Sequence, residues 1–263
     1  MKIKKIRNIY FSPNGTTAEV ARTIADRFDE PCMTLDLIRS PLRKELTIDP
    51  DTLAIVSMPV YAGRLPVPAA EMLKHLRGNG TAVIAAAVYG NRAYDDALLE
   101  LKDILTEQGF IVISAGAFVA EHSIFPKIAA GRPDMSDLTF IQSFAENSKN
   151  VLAKVTAGSE CRLRIPGNRP YRAGGRVTLV PKTGRGCNKC GVCADLCPVD
   201  AIMVGDAAVT DPKLCIACGA CIHNCPEAAR RFSGFFYRAA SRKFVKLCAM
   251  RREPEVFYSE PEL

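Results

Sequence analysis

The order of apolar runs and amphipathic segments over residues 1–157 predicts a doubly wound α/β domain. Thr52–Met58 and Thr81–Tyr89 are almost continuously apolar, as expected of parallel strands covered by helices on both faces. Ala93–Gln108 instead repeats leucines on one side, the pattern of an amphipathic helix. Because such segments alternate along the chain, we expect a five-stranded parallel sheet. The predicted strands are Lys5–Phe11, Cys32–Leu37, Thr52–Met58, Thr81–Tyr89 and Phe110–Phe118, and the predicted helices are Thr17–Phe28, Pro66–Leu76, Ala93–Gln108 and Ser136–Val155, the last with Ser136 as N-cap.

The pattern changes after residue 157. Residues 158–182 are rich in Gly, Pro and Arg and have no usable period, which indicates an extended connector. A cysteine-rich module follows at residues 183–232. The tail, residues 233–263, contains apolar positions that predict a helix from Phe235 to about Arg251. We therefore expect two domains, joined by a connector and followed by a helical tail.

Eight of the eleven cysteines fall into two copies of one spacing, C-x-x-C-x-x-C-x-x-x-C-P, offset by 28 residues. In such a run three closely spaced thiolates hold one cubane iron–sulfur cluster, and the fourth serves the other cluster. The spacing therefore predicts two [4Fe–4S] clusters. The first would be held by Cys187, Cys190, Cys193 and Cys225, and the second by Cys215, Cys218, Cys221 and Cys197.

Two other uses of cysteine are less consistent with this spacing. A zinc ribbon needs two C-x-x-C pairs for each ion and has no role for the third close cysteine. A disulfide framework is typical of short secreted chains, and the N-terminus lacks the features of a secretory signal. We expect a cytoplasmic protein without a membrane span, with Cys32 in the core and with Cys161 and Cys248 as free thiols.

The formal net charge of +7 raises the possibility of a nucleic-acid partner, but its distribution argues against one. Residues 158–182 contain six Lys or Arg and one acidic residue. No aromatic side chains alternate with these cations and no recognition helix is evident, so we expect no nucleic-acid binding. The connector's charge would instead offset the negative charge of the clusters. The arginines concerned are Arg162, Arg164, Arg169, Arg172 and Arg176.

Three loops follow predicted strands and carry chemistry suited to a ligand at the carboxyl edge of the sheet. The first offers hydroxyl and amide side chains with a glycine at a helix N-terminus, which suits a phosphate monoester. Capping of the helix by Asn14 or Thr16 would also explain it. The first loop provides Ser12, Asn14, Gly15, Thr16 and Thr17.

The second and third loops each place an aromatic ring beside a glycine, an arrangement that suits a flat ring system. Packing at the edge of the core is the alternative role for each tyrosine. The second loop provides Pro59, Val60, Tyr61, Ala62 and Gly63, and the third provides Tyr89, Gly90, Asn91, Arg92, Tyr94 and Asp95.

Residues 1–157 resemble the flavodoxins, and the chain resembles the flavodoxin–ferredoxin fusion proteins of anaerobes. The resemblance lies in Tyr10–Thr17, Pro59–Pro66 and Tyr89–Arg92, followed by the two cysteine runs. Asn14 departs from the Thr usual at that loop position, although an amide also donates to phosphate. The resemblance implies a flavodoxin-like sheet, a small α+β bacterial-ferredoxin domain, and FMN bound by the three loops.

These features together predict an electron carrier that relays single electrons between two clusters and FMN. The alternative is an FMN-dependent reductase of a small organic acceptor, such as a quinone or an unsaturated compound, supplied by the clusters. In either case we expect redox partner proteins, and a homodimer if one chain cannot bring the cofactors close enough. His122 is a candidate proton donor at the flavin edge, because imidazole titrates near neutral pH.

Overall fold

The computed structural model describes residues 1–156, 161–175 and 177–261. In the first of these ranges, strands and helices alternate as the apolar pattern predicts. The strands are β1 (Lys5–Tyr10), β2 (Cys32–Asp36), β3 (Leu46–Ile48), β4 (Thr52–Pro59), β5 (Leu76–Gly78), β6 (Thr81–Tyr89) and β7 (Phe110–Val119). The helices are α1 (Thr16–Ala25), α2 (Val67–Leu73), α3 (Ala97–Glu107) and α4 (Met135–Lys154).

Apart from one longer helix in the tail, the rest of the chain forms short elements. Its strands are β8 (Cys161–Arg162), β9 (Lys182–Thr183), β10 (Ile202–Val204), β11 (Ala208–Thr210), β12 (Arg230–Arg231), β13 (Glu255–Tyr258) and β14 (Glu260–Pro261). Its helices are α5 (Val192–Asp195), α6 (Ala220–His223) and α7 (Phe235–Leu247). No helix in the described ranges has both the length and the apolar character needed to cross a bilayer.

The main sheet confirms the doubly wound prediction. The five parallel strands lie in the order β7-β6-β4-β1-β2, which is the flavodoxin-like order 2-1-3-4-5 when they are numbered along the chain. The direction of winding reverses between β1 and β4. The loops that follow these two strands therefore diverge and leave a crevice at the carboxyl edge, where ligands bind in such sheets.

Two apolar layers explain the continuous hydrophobic runs. Val56 and Ala85 belong to the cluster that includes residues of α2 and α3, whereas Ile55 and Ile84 belong to the cluster that includes residues of α1 and α4. Every residue of β4 and β6 is buried. Both faces of these strands are thus removed from water, so neither strand shows a polar alternation.

The sheet also has a sixth strand that the sequence pattern did not reveal. β13 pairs antiparallel with β7, with Val256 opposite Gly116 and Tyr258 opposite Ser114. The strand is short and is flanked on both sides by Glu and Pro residues, so its pairing depends on a distant edge of the sheet and not on a local pattern. The short parallel pair of β3 and β5 was likewise not predicted.

Several local predictions differ from the structure. The predicted helix Pro66–Leu76 ends at Leu73, and the tail helix ends at Leu247, before Arg251. The N-cap of α4 is Asp134, whose carboxylate accepts the backbone N–H groups of Ser136 and Asp137, while Asp137 caps in return. Ser136 is therefore inside the helix. Cys32 is exposed, because β2 is the outer strand of the sheet. The predicted connector boundary at 157/158 and Arg176 fall outside the described residues.

The cysteine-rich module has an internal two-fold repeat. α5 and α6 each begin after a glycine with left-handed backbone, Gly191 and Gly219, that lie 28 positions apart. The strand pairs β10–β11 and β9–β12 flank the two helices. Cys193 and Cys221, one from each cysteine run, belong to the same apolar cluster.

The tail anchors this module to the sheet. The side-chain amide of Asn91 donates to the carbonyls of Cys248 and Met250, and its oxygen accepts the N–H of Arg252. Tyr94 donates its hydroxyl to Glu255 at 2.7 Å. The module is thus connected to the sheet domain at both ends, by residues 161–175 on one side and by the tail on the other.

Candidate functional site

The first predicted cluster site is a small cavity lined by Cys187, Cys190, Cys193 and Cys225. Three of these come from the loop before and through α5, and Cys225 comes from the second repeat. The structure therefore brings together the four cysteines that the spacing assigns to one cluster. Cys190 is exposed, so this site lies at the surface.

The second predicted set consists of Cys215, Cys218, Cys221 and Cys197. Cys197 packs against the apolar cluster that contains Cys221, so the structure brings these two members of the set, one from each repeat, into the same cluster. Backbone N–H groups point at several sulfurs: Ala201 donates to Cys197 at 3.2 Å, and Ala217 donates to Cys215 at 3.4 Å. Such donors stabilise thiolates and the sulfurs of a bound cluster.

Burial at these sites opposes the thiolate form. It raises the pKa of Cys218 to about 12, and it also raises the pKa values of Cys193, Cys215 and Cys221. A bound iron ion deprotonates a coordinating thiol because it supplies local positive charge. In the described ranges, no three His, Cys, Asp or Glu side chains are placed to hold a single metal ion. Two groups of four thiols with backbone donors fit two [4Fe–4S] clusters.

A cavity of about 1400 Å³ opens at the carboxyl edge of the sheet, and the three predicted loops contribute to its wall. Eleven of the sixteen residues predicted to bind the cofactor line this cavity. They are Asn14, Thr16, Thr17, Pro59, Val60, Tyr61, Ala62, Gly63, Tyr89, Gly90 and Arg92. The loops thus converge on one space, as the topology requires.

The first loop presents the N-terminus of α1 to this cavity. Gly15 has φ of +88°, and a Cβ built on it would meet nothing within 4 Å. Ser12 accepts the N–H of Ala18 through its hydroxyl, and Thr16 donates its hydroxyl to Asn14. The N–H groups of a first helical turn have no acceptor within the helix, so Thr16 and Thr17 offer donors to an anion. A phosphate monoester fits this loop.

The other five predicted residues do not line the cavity. Ser12 and Gly15 determine the shape of the first loop, and the remaining three have structural roles. Tyr94 is buried, packs edge-on against Tyr89 and binds Glu255, so it is a core residue. Asn91 holds the tail, as described above. Asp95 pairs with Arg92 and Arg172, and its carboxylate fills the space where a Cβ on Gly63 would lie.

Tyr61 and Tyr89 remain as the aromatic residues of the two loops that reach the cavity. Tyr89 is almost fully buried, and burial raises its pKa to about 12. Tyr61 is half-buried between the cavity and the cysteine module, where its hydroxyl donates to the carbonyl of Cys218 at 3.5 Å. Burial also raises the pKa of Tyr61, so its hydroxyl keeps its proton at neutral pH.

The second loop is fixed by a buried carboxylate. Glu100 on α3 accepts two hydrogen bonds from Arg64, at 2.8 and 2.7 Å, and a third from the N–H of Leu65. Arg64 also donates to the carbonyl of Arg172 and stacks on the ring of Tyr171. Bidentate pairing of this kind defines geometry as well as charge. The loop and the connector are therefore held together along one side of the cavity.

The remaining wall of the cavity comes from parts of the chain that sequence reasoning did not assign to the site. The cysteine module contributes Lys213–Ala217, which includes the predicted cluster ligand Cys215. The connector contributes Tyr171–Gly175 and Val177–Leu179, and α7 contributes Phe236, Ala240 and Phe244. Cys215 thus belongs both to a predicted cluster site and to the wall of the large cavity.

His122 also lines the cavity, and burial lowers its pKa to about 4. Its Nδ1 accepts the N–H groups of Ile124 and Phe125, at 3.1 and 3.4 Å. The imidazole is therefore neutral near pH 7 and has its proton on Nε2. A Cβ on Gly90 would lie 2.7 Å from this ring, so only a glycine at position 90 leaves room for the imidazole. The proton-donor role of His122 stays a prediction and involves the Nε2 proton.

The cluster sites predict a defined iron content. Anaerobic reconstitution should give about eight irons per chain, four for each cluster. Cys193→Ala removes a ligand of the first site and should leave about four. Cys32→Ala, outside both runs, should keep about eight. Iron and acid-labile sulfide analysis measures both, and two zinc ions in place of the iron would contradict the assignment.

The lowered pKa of His122 predicts that the stability of the protein depends on pH. Its folded pKa of about 4 lies below the ordinary value of 6.5, so the unfolded chain binds the proton first as the pH falls. The free energy of unfolding should therefore decrease from about pH 6.5 towards pH 4. In ¹⁵N-histidine NMR spectra His122 should stay a neutral Nε2–H tautomer between pH 8 and pH 6, with exposed His75 as reference. A His122 signal that titrates above pH 6 would contradict its burial.

Residues 186–229 match the family model described as "4Fe-4S dicluster domain". A 64-residue segment is 42% identical to a subunit of the tetrathionate reductase of Archaeoglobus fulgidus, over 23% of this chain and 30% of that protein. A 45-residue segment is 40% identical to a subunit of the Na(+)-translocating ferredoxin:NAD(+) oxidoreductase complex of Acetobacterium woodii, over 16% of this chain and 14% of that protein. The chain thus spans less than a third of the length of either relative.

Among solved structures, this chain is similar to a flavodoxin of Streptococcus pneumoniae TIGR4, with 20% identity, a TM-score of 0.38, and coverage of 57% of this chain and 99% of that one. A flavodoxin from the domain Archaea has 13% identity, a TM-score of 0.41, and coverage of 56% and 99%. The flavodoxin-like assignment rests on the strand order of the sheet. The chain is a fusion of a flavodoxin-like α/β domain with a ferredoxin-type 4Fe-4S dicluster domain. The cofactors of the dicluster domain are two [4Fe–4S] clusters.

Proposed function

We propose that this protein is an electron-transfer iron–sulfur flavoprotein that relays single electrons between its two [4Fe–4S] clusters and FMN. One observation carries the proposal: Cys215, a ligand assigned to the second cluster, lines the same cavity as the three loops that suit FMN. Bound FMN would supply a group that exchanges either one or two electrons, whereas each cluster exchanges one.

The residues of the first loop support FMN over larger nucleotides. Thr16 and Thr17 offer first-turn donors for one phosphate monoester, and no lysine stands in the loop as a nucleoside triphosphate would require. Tyr61 and Tyr89 provide rings beside the cavity for a flat heterocycle. Arg92 adds positive charge there, balanced by its ion pair with Asp95.

Exposure and contact support an order in which the second cluster lies between the first cluster and the flavin. The first cluster site lies at the surface, where Cys190 is exposed to a partner protein. The second lies inside, with Cys218 and Cys221 buried and Cys215 on the cavity wall. Tyr61 bridges the loop and the backbone of Cys218. A chain of this form needs no second copy to bring the second cluster beside the flavin.

The cavity size gives the alternative function a specific basis. Sites for a single small ligand measure roughly 300 to 1,000 Å³, and this cavity measures about 1400 Å³. The connector and α7 add apolar side chains to its wall, among them Val177, Leu179, Phe236 and Phe244. An FMN-dependent reductase of a quinone-like acceptor is therefore the second candidate.

Gly15 tests the flavin site. Gly15→Asp should abolish FMN retention, because it places a carboxylate where the phosphate is expected. Gly15→Asn is the matched control: it has nearly the same shape as Asp and a similar tolerance of positive φ but no charge, and it should retain most of the FMN. Flavin released by acid is measured by absorbance. Equal FMN content in the wild type and Gly15→Asp would show that the phosphate does not bind at this loop.

Rapid reduction by a low-potential donor tests the relay. After the clusters are reduced, flavin bleaching should be first order with a rate independent of protein concentration, because both centres share one chain. Cys218→Ala, which removes the second cluster, should slow bleaching at least about tenfold. A bleaching rate proportional to protein concentration would contradict a relay within one chain. Multiple-turnover quinone consumption by the reduced protein would favour the reductase.

A further inference from the structure

At one pair of equivalent positions in the two-fold repeat of the cysteine module, a buried charged side chain replaces a buried apolar one. Ile202 and Arg230 follow their Cys-Pro pairs at the same spacing and lie 28 positions apart. Ile202 is 8% exposed and packs with Cys193 and Cys221 in an apolar cluster. Arg230 is 2% exposed. A buried arginine thus occupies, in one half of the module, the position that an isoleucine fills in the other half.

Burial of an unpaired cation costs several kcal/mol, so a buried arginine requires compensation. Its Nη1 donates to the hydroxyl of Thr183 at 2.5 Å and to the carbonyl of Ala208 at 3.0 Å, and its Nη2 donates to the hydroxyl of Thr210. All three acceptors are neutral. Among the described residues, no carboxylate pairs with Arg230, and its buried Nε has no acceptor. The side chains around Arg230 therefore satisfy most of its hydrogen bonds but do not neutralise its positive charge.

Both cluster sites lie within reach of this guanidinium. Its Nη2 approaches the sulfur of Cys221, in the second site, at 3.7 Å. Arg230 also lines the cavity formed by the four cysteines of the first site. Burial raises the pKa values of Cys193 and Cys215, and the charge of Arg230 opposes this effect at both. One side chain thus acts on cysteines of both sets.

We propose that Arg230 is the shared internal counter-charge of the two [4Fe–4S] clusters and a positioning residue that raises their reduction potentials. An oxidised cluster with its four thiolates carries a net charge of about −2, and its reduction adds one more negative charge. A fixed positive charge nearby stabilises the reduced form more than the oxidised form. The inference rests on the two clusters and is independent of FMN.

Substitution of the charge tests this role against a purely structural one. In EPR-monitored redox titrations Arg230→Met should lower the potentials of the clusters, with the reduced-to-oxidised ratio at a fixed ambient potential falling about tenfold, or about 59 mV for one electron. Arg230→Lys keeps the charge and loses the fork of hydrogen bonds, so it should restore most of the shift. Arg231→Met removes an equal charge from the exposed neighbour on β12 and should leave both potentials unchanged.

Two results would overturn the proposal: wild-type potentials in Arg230→Met with both clusters intact, or equal shifts in the Met and Lys variants. If Arg230→Met does not assemble clusters, the wild-type protein gives an independent test. Pulsed EPR of the reduced clusters in protein labelled with ¹⁵N-arginine should detect coupling to a guanidinium nitrogen, because Arg230 donates towards Cys221. Absence of an arginine coupling in the labelled wild type would equally refute the assignment.

Discussion

The return of the chain from the cysteine module to β7 is the constraint on which the arrangement of the protein depends. β13 completes the sheet antiparallel to β7, and the tail just before it is held by Asn91. Arg251 adds an ion pair to Asp134 at the N-terminus of α4. The module is attached to the sheet domain at its beginning and at its end. These attachments restrict it to a position over the carboxyl edge of the sheet.

Contacts between the two parts are consistent with this closed path. Asn224, which ends α6, donates to the carbonyl of Pro13 in the first loop. Tyr237 of α7 donates to the carbonyl of Ile124, and Phe125 stacks between Tyr237 and Phe244. The apolar stack excludes water from one end of the interface, while the polar contacts fix its register. A cavity bounded by loops from both parts is the consequence.

Two arginines of the connector are paired with carboxylates of the sheet domain. Arg169 forms a bidentate pair with Asp103, and Arg172 pairs with Asp95. The carboxylate of Asp96 accepts N–H groups of Asn168 and Arg172. These cations therefore bind the connector to α3 and the loop before it. The counter-charge at the clusters comes from Arg230, which no count of charge along the chain singles out.

The sequence predicted what depends on local spacing or on burial along one segment. The cysteine spacing predicted two ligand sets, and the structure brings the first of them, Cys187, Cys190, Cys193 and Cys225, around one cavity. The apolar runs located β4 and β6. It did not predict β13, the N-cap at Asp134 or the core position of Tyr94. β13 and Tyr94 depend on partners that are distant in the sequence. The N-cap depends on which of two neighbouring side chains, Asp134 or Ser136, accepts the first backbone N–H groups of the helix. The wall formed by Lys213–Ala217 was missed for the same reason, since it requires knowledge of how the two domains meet.

A crystal structure of the anaerobically purified protein, with iron and flavin bound, tests the central claim most directly. The account predicts FMN in the large cavity with its phosphate at Thr16 and Thr17, and its ring between Tyr61 and the Cys215 loop of the same chain. It also predicts that no residue of another copy separates the ring from the second cluster. A flavin ring walled off from Cys215, or one that meets a cluster only across a boundary between two copies, would contradict it.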